Sequence, residues 1–219
     1  MKKICFIIGA APFEAFPLPL SPSDTVIAAD AGFLRLGDLG AQADVVIGDF
    51  DSLGALPQHK HIIPAPTEKD ETDTLLAVRE GLRLGHDTFV FIGGAGGRFD
   101  HTLANIQTLT FLAQSGVRGL LLGDRFAMTV IQDGAMALPA GKSGGVSVFC
   151  LGERAEGVTL RGLKYPLNNA ELTYSFPVGV SNAFTGGKVE ISVECGTLLV
   201  YWEDTPESAI EFFRQTEKS

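Results

Sequence analysis

The 219-residue sequence has few of the features that mark disulfide-stabilised, zinc-binding or nucleic-acid-binding proteins. Its three cysteines, Cys5, Cys150 and Cys195, are odd in number, far apart and never in a CxxC pair, which argues against both a disulfide framework and a zinc site. Lysine and arginine together number 17 against 26 acidic residues, so the formal net charge is −9. Proteins that bind a phosphate backbone need clustered cations, so we expect no nucleic-acid partner.

Long hydrophobic runs are also missing, and none approaches the roughly 18 residues of a membrane span. The N-terminal stretch "MKKICFIIGAA" has the outline of a signal peptide, but its apolar part is short and β-branched. We interpret residues 3–8 as a first buried strand. Together with the unpaired cysteines, these features predict a cytoplasmic protein with no membrane partner. The 45% of hydrophobic residues can fill one large core or two small ones.

The first half of the sequence alternates short β-rich runs with helical patterns. Runs such as "TVIAADAG", "ADVVIGDF" and "DTFVFIGG" are separated by "ETDTLLAVREGLRLG" and "DHTLANIQTLTFLAQSG", whose apolar residues recur at helical spacing. This alternation predicts an α/β domain with a mostly parallel, Rossmann-like sheet over residues 1–124. In such sheets ligands bind at the carboxyl ends of the strands.

From about Arg125 the pattern becomes typical of antiparallel β-structure. Runs such as "FAMTVIQ", "GGVSVFCLG" and "GKVEISVECGTLLVYW" are divided by Gly, Asn and Pro. We therefore predict a second, all-β domain, a sandwich or barrel, over residues 125–219. The stretch "PESAIEFFRQ" predicts a short C-terminal helix.

Aspartates of the first half fall where predicted strands give way to helices. They are Asp30 after "VIAA", Asp49 and Asp51 after "VVI", Asp70 and Asp73 before one helix, and Asp100 before the next. Each alone has an ordinary explanation as a turn residue or N-cap, and Asp70 and Asp100 are well placed to cap. Together they converge on one sheet edge, where like charges destabilise one another unless a cation lies among them. Oxygen ligands without a His or Cys cluster indicate Mg²⁺.

The glycine-rich loop "GGAGGRFDH", residues 93–101, supplies groups that bind anions. Its glycines let backbone N–H groups approach a phosphate, and the following helix presents its positive N-terminal end. Arg98 can bind phosphate oxygens in bidentate fashion, whereas His101 is more readily a helix-start hydrogen-bonding residue than a general base. The loop matches neither GxGxxG nor the P-loop pattern. With the carboxylates, it favours transfer of a phosphoryl or pyrophosphoryl group from a nucleotide.

Several short motifs occur in a fixed order along the sequence. They are "ADAG" (29–32), "GDFDS" (48–52), "KDETD" (69–73) and "GGRFDHTLAN" (96–105), followed by "GLKYPL" (162–167) and "VSNAF" (180–184). The first four resemble the thiamin pyrophosphokinase family, and the last two resemble that family's thiamin-binding β-domain. The similarity runs over residues 3–202. It implies an enzyme that moves the diphosphate of ATP to the hydroxyl of thiamin, giving thiamin diphosphate and AMP. It also implies a homodimer with active sites between the subunits.

The same resemblance implies roles for particular residues. Asp49, Asp51 and Asp73 would hold Mg²⁺ and, with Arg98 and Asp100, form the catalytic group, Asp100 orienting the metal or the attacking hydroxyl. The ATP-binding residues would be Asp30, Lys69, Asp70, Thr72, Gly96, Gly97, Arg98 and His101. Tyr165 would stack on thiamin, and Ser181 and Asn182 would hydrogen-bond it. A cationic thiazolium is attracted by an aromatic face.

Other functions stay open at this point. A pyrophosphokinase acting on another alcohol, such as a hydroxymethyl pterin, would share the metal and nucleotide residues, although Tyr165, Ser181 and Asn182 favour thiamin. A nucleotide or thiamin sensor that has lost catalysis would lack a metal aspartate, and none is missing from the motifs. A nicotinamide-binding protein needs GxGxxG after its first strand, which "FIIGAAPFEA" does not contain.

Overall fold

The computed structural model describes residues 3–13, 20–38, 40–50, 58–66 and 68–216. The chain forms two compact units that do not strictly follow sequence order. The first unit comprises Met1–Thr108 and Gly119–Asp124, and the second comprises Leu109–Arg118 and Arg125–Ser219. The chain therefore passes into the second unit within a helix and returns to the first for one strand.

The first unit contains a sheet of strand order β6-β5-β1-β2-β3-β4. Its strands are β1 Cys5–Ile8, β2 Thr25–Ala29, β3 Val45–Gly48, β4 Ile62–Pro64, β5 Thr88–Ile92 and β6 Arg118–Leu122. Strand β1 pairs in parallel with β2 and β5, and β3 pairs in parallel with β2 and β4. The predicted α/β unit with parallel strands is confirmed.

Three helices lie in the described part of the first half of the chain, and two of them were predicted. They are α1 Gly32–Asp38, α2 Asp73–Arg83 and α3 Phe99–Gln114. Helix α2 packs on β1, β2 and β3, and α1 packs on β1 and β2. Every residue of β1 and β5 is buried, as continuous apolar runs in parallel strands require. The seven residues of α1 are too few to show a helical repeat, so the sequence pattern did not predict this helix.

The parallel pairing brings the carboxyl ends of β1, β2, β3 and β5 to one edge of the sheet. Backbone hydrogen bonds continue past these strand ends. Gly9 N donates to Ile92 O at 2.8 Å, and Asp30 N donates to Ile47 O at 2.7 Å. The loops that carry the candidate site residues of the first unit start from this edge.

The second unit contains two antiparallel sheets, of orders β12-β9-β14-β7 and β11-β10-β13-β8. Their strands are β7 Phe126–Gln132, β8 Ala135–Leu138, β9 Gly145–Cys150, β10 Arg154–Arg161, β11 Leu167–Thr173, β12 Asn182–Ala183, β13 Val189–Ser192 and β14 Thr197–Glu203. The sheets contact each other where β10 meets β14 and β11 meets β9. The predicted antiparallel β-structure is confirmed. Trp202 of β14 is fully buried in the core of the second unit.

The final helix, α4 Pro206–Gln215, is present where the sequence predicts one. Thr205 caps it by accepting a hydrogen bond from Ser208 N, and Ala209, Ile210 and Phe213 are buried. Within the described ranges, no helix has both the length and the apolar character needed to cross a membrane.

Arg118 anchors the C-terminal end of α4. Its guanidinium donates to Phe213 O at 3.0 Å, to Thr216 O at 2.6 Å and to Thr216 Oγ1 at 2.7 Å. Its central carbon also lies 4.2 Å from the centroid of the Phe213 ring. A cation placed at the last carbonyls of a helix satisfies acceptors that have no partner within the helix.

Candidate active site

The first group of site residues lies at the ends of β2 and β3. Asp30 directly follows β2, and Asp49 directly follows Gly48, the last residue of β3. A Cβ on Gly48 would lie only 3.0 Å from Asp30 Cα and 3.2 Å from Asp30 N. The absence of a side chain at Gly48 therefore lets the two strand ends approach each other closely.

Lys69 joins two of the predicted metal ligands. Its Nζ lies 3.0 Å from Asp49 Oδ2 and 3.0 Å from Asp73 Oδ1, and the Lys69 and Asp49 side chains are each only 14% exposed. Burial disfavours the charged ammonium, but the carboxylates of Asp73 and Asp49 outweigh that effect and raise the pKa of Lys69. Lys69 therefore carries its charge between the two aspartates.

Asp73 is a partly buried member of this group, with its side chain 22% exposed. Burial raises the pKa of its carboxyl, the Lys69 ammonium opposes that rise, and the negative charges of Asp49 and Asp30 add to it. Among the described residues, Asp73 Oδ1 has no hydrogen-bond partner beyond its ion-pair contact with Lys69. The structure thus brings together Asp30, Asp49, Lys69 and Asp73, and their charges leave the cluster net negative.

This donor set suits a magnesium ion, because Mg²⁺ prefers carboxylate oxygens. Asp49 and Asp73 both pair with the Lys69 ammonium, and the buried Asp73 Oδ1 can accept a further bond from a metal ion. The third predicted ligand, Asp51, lies outside the described residues. In the part of the chain that is described, no three His, Cys, Asp or Glu side chains lie close enough to form a metal-binding group.

Among the described candidate site residues and their neighbours, three residues other than glycine have left-handed backbone. Asp30 has φ 47°, Phe50 between the two aspartates has φ 57°, and Ser181 has φ 60°. Such values are uncommon for residues other than glycine and require support from the surrounding structure. Phe50 is itself buried, with 3% of its surface exposed.

Thr72 and Asp70 lie at the start of α2. Thr72 is the N-cap, and its Oγ1 accepts a hydrogen bond from Leu75 N at 3.2 Å. Asp70 is exposed two residues earlier, so the alternative interpretation of Asp70 as a helix cap is wrong. The hydroxyl of Thr72 is committed to the cap because the helix needs an acceptor for its free N–H groups.

The glycine-rich loop has the backbone conformation that its glycines allow. Gly96 and Gly97 have φ values of 87° and 64°, which side-chain-bearing residues rarely adopt. Asn105, buried within α3, donates from Nδ2 to Gly94 O at 2.7 Å and ties the loop to the helix. Asn105 was not among the predicted site residues, although a polar amide inside a predicted helix indicates that the amide has a partner.

Arg98 and Asp100 pair with each other at the start of α3. Arg98 Nη2 lies 2.6 Å from Asp100 Oδ2 and Nε lies 3.2 Å from Oδ1, and both side chains are well exposed. The hydrogen bonds from Arg98 lower the pKa of Asp100, and Asp100 raises the pKa of Arg98. The guanidinium of Arg98 therefore binds the Asp100 carboxylate in bidentate fashion. His101, next along the helix, is exposed.

The predicted thiamin-binding residues lie together in the second unit. Asn182 forms the start of β12 and is buried, and its amide is hydrogen-bonded to both backbone groups of Tyr165. Tyr165 is 57% exposed, and Lys164 Nζ lies 5.2 Å from the centroid of its ring. Ser181 is exposed, and its backbone N donates to Ser147 Oγ at 3.2 Å.

Two family models match the chain, one for each half. The model for "Thiamin pyrophosphokinase, catalytic domain" matches residues 16–120, and the model for "Thiamin pyrophosphokinase, vitamin B1 binding domain" matches residues 138–198. Between them they span most of the sequence and include every candidate site residue named above.

Individual relatives agree with the family models. Thiamine pyrophosphokinase of Bacillus subtilis (strain 168) is 29% identical over 181 residues, which are 80% of this chain and 85% of that protein. The crystal structure of thiamine pyrophosphokinase from Bacillus subtilis matches with a TM-score of 0.80 at 26% identity, covering 92% of this chain and 99% of the other. The crystal structure of a thiamin pyrophosphokinase family protein from Enterococcus faecalis matches with a TM-score of 0.78 at 27% identity, covering 93% of this chain and 99% of the other. The chain therefore belongs to the thiamin pyrophosphokinase family.

Proposed function

We propose that the protein is a thiamin pyrophosphokinase, which transfers the diphosphate of ATP to the hydroxyl of thiamin. The hydroxyl oxygen forms a bond to the β-phosphorus and loses its proton, and the bond between the β-phosphorus and the α,β-bridging oxygen breaks. The products are thiamin diphosphate and AMP. The observation that carries this proposal is that one chain matches both the catalytic and the vitamin B1 binding models of a single family.

The first 124 residues are proposed to form the Rossmann-like domain that binds ATP and magnesium. Asp49, Asp51 and Asp73 would hold Mg²⁺, which neutralises negative charge on the transferring group when bound. The ion pairs of Lys69 with Asp49 and Asp73 support this assignment, because they show that the carboxylates converge on a cation. On nucleotide binding, Lys69 is released to contact phosphate oxygens.

The glycine-rich loop and the residues around it are proposed to bind the nucleotide. Gly96 and Gly97 would offer backbone N–H groups to the phosphates, and Arg98 would exchange the Asp100 carboxylate for phosphate oxygens. Asp100, ionised at neutral pH, would then accept a hydrogen bond from the attacking hydroxyl. The remaining proposed nucleotide contacts are Asp30, Asp70, Thr72 and His101.

Residues 125–219 are proposed to form a β-sandwich that binds thiamin. The exposed ring of Tyr165 would stack on thiamin, and Ser181 and Asn182 would fix its orientation. We propose a cytoplasmic homodimer in which the aspartate cluster of one subunit faces Tyr165 of the other. This arrangement rests on the family resemblance and on the separation of phosphate-binding and ring-binding residues along the chain.

The reaction is tested by incubating the protein with Mg²⁺, ATP and thiamin and resolving the nucleotide products. We expect AMP and thiamin diphosphate in equal amounts. Asp73→Asn should abolish both, whereas Asp38→Asn, a change at the exposed end of α1, should not. ADP in place of AMP would mean transfer of the γ-phosphoryl group and would refute the proposal.

A further inference from the structure

The side-chain amide of Asn182 is almost fully used in contacts within the protein. Its Oδ1 accepts hydrogen bonds from Tyr165 N and Ala183 N, both at 2.9 Å, and its Nδ2 donates to Tyr165 O at 2.7 Å. The residue is only 4% exposed. Both acceptor positions of the oxygen are occupied, and one amide N–H is all that remains of its bonding capacity.

The contacts of Asn182 replace those that a neighbouring strand would give to Tyr165. The amide satisfies both the N–H and the C=O of Tyr165, as a residue opposite in a β-ladder does. Lys164 N donates to Ala183 O at 2.9 Å, and Leu163 forms an isolated antiparallel bridge with Phe184. Three consecutive residues of the segment 163–165 are therefore attached to residues 182–184, and Asn182 holds the outer end of the segment.

This attachment fixes the backbone of a residue whose ring is exposed. More than half of the Tyr165 side chain is accessible, and Lys164 Nζ lies within cation–π distance of the ring at 5.2 Å. A ring carried by a fixed backbone loses less conformational freedom when it stacks on a ligand, so the ligand is bound more tightly.

We infer that Asn182 is a positioning residue for thiamin, acting through the backbone of Tyr165, and that it does not contact the thiamin ring itself. The inference rests on the proposed function, since it assigns Tyr165 as the group that stacks on thiamin. It reassigns Asn182 from the direct hydrogen bond that the family resemblance implies. Ser181, exposed beside it, keeps the predicted contact with the ligand.

A double-mutant cycle distinguishes action through Tyr165 from direct contact, because coupled residues give non-additive effects. Thiamin affinity is measured by calorimetry, without nucleotide, for the wild type, Asn182→Ala, Tyr165→Ala and the double variant. We expect Asn182→Ala to weaken thiamin binding about tenfold, a loss of about 1.4 kcal/mol. The double variant should bind no more weakly than Tyr165→Ala alone, and ATP affinity should not change. Asn168→Ala, at an exposed position of β11, is the control and should bind like the wild type.

Additive effects of the two substitutions would overturn the inference, because they would place Asn182 in direct contact with thiamin. The proposed function would still stand in that case. A wild-type protein that binds no thiamin would refute both.

Amide hydrogen exchange of the wild type decides the question if Asn182→Ala does not fold. The Tyr165 N–H should be protected without thiamin and should stay protected when thiamin is added. Loss of that protection on adding thiamin would show the Asn182 amide turning to the ligand and would overturn the inference.

Discussion

Gly48 sets the distance between the ends of β2 and β3, where Asp30 and Asp49 begin the acidic cluster. In Gly48→Ala the new Cβ would lie 3.0 Å from Asp30 Cα, and backbone atoms at that distance have to move. We expect at least about a tenfold fall in turnover, equivalent to about 1.4 kcal/mol of barrier. Activity is measured as AMP release.

Gly37→Ala provides a matched control within the same unit. A Cβ at Gly37 would meet no atom within 4 Å, and the position lies inside α1, where alanine is favoured over glycine. This variant should keep its activity and unfold at the same or a higher temperature. Equal loss of activity in both variants would show that the close approach at Gly48 has no special role.

Lys69 compensates the charges of Asp49 and Asp73 in the absence of a metal. Lys69→Met keeps most of the aliphatic stem but removes the ammonium, so it should lower the free energy of unfolding in chelator by about 1–3 kcal/mol. Added Mg²⁺ should restore stability more in this variant than in the wild type. Thermal unfolding with and without Mg²⁺ gives the measurement, and Lys60→Met, at an exposed position, is the control.

An unchanged unfolding temperature of Lys69→Met in chelator would mean that the ion pairs contribute little. A stability loss that Mg²⁺ does not reverse would separate Lys69 from the metal site.

Sequence reasoning found the carboxylates of this site but not how they are held. The positions of Asp49 after β3 and of Asp73 at the start of α2 follow from hydrophobic patterning, since strand-to-helix transitions of a parallel sheet lie at one edge. The location of Lys69 between them depends on the path of residues 68–72, which no periodicity encodes. The bonds of Asn105 to Gly94 and of Asn182 to Tyr165 likewise join separate elements, so only the folded chain reveals them.

Helix α4 depends on a side chain that lies far away in the sequence. Arg118 donates three hydrogen bonds at the end of α4 and stacks on Phe213. Arg118→Met should therefore lower the free energy of unfolding by about 1–3 kcal/mol, because the helix end loses its donors. Chemical denaturation gives the measurement.

Arg161→Met is the control for Arg118, since Arg161 is 70% exposed and its ion-pair distance to Glu190 is 3.7 Å. Arg161→Met should change the free energy of unfolding by no more than about 0.5 kcal/mol. A similar loss of stability in both variants would contradict a special role for Arg118.

Elements with a clear apolar pattern were predictable, and elements without one were not. The apolar runs of β1 and β5 and the helical spacing of α2 and α3 identify these elements directly. Helix α1 is too short for its pattern to be seen, and β12 has only two residues. The single run "GKVEISVECGTLLVYW" forms two strands, β13 and β14, because the chain turns between them at Gly196, where φ is 116°.

The proposed dimer makes a prediction for the assembled enzyme. Asp73→Asn and Tyr165→Ala, each nearly inactive, are unfolded and refolded together. If sites are shared between chains, one site of a mixed dimer carries both lesions and the other carries neither. Random pairing makes half of the dimers mixed, so activity should return to about a quarter of the wild-type value.

Mixing Asp73→Asn with Asp49→Asn is the control, because both changes fall on the same side of the site and no intact site can form. Recovery in the control would point to refolding artefacts. If the refolded mixture of Asp73→Asn and Tyr165→Ala is no more active than the mean of the two single variants, each site is built within one chain.

The anchoring of α4 by Arg118 also has a consequence for synthesis on the ribosome. Arg118 precedes Phe213 by 95 residues and Thr216 by 98. At roughly 5–20 residues per second, translation separates the arginine from its partners by about 5 to 20 seconds. Val130, Ile131 and Met136, which line the cavity beside α4, are made early in this interval and lack the bordering helix until it is complete. The nascent chain therefore offers chaperones a hydrophobic surface until its last turn emerges, and a premature stop codon before α4 would leave that surface permanently exposed.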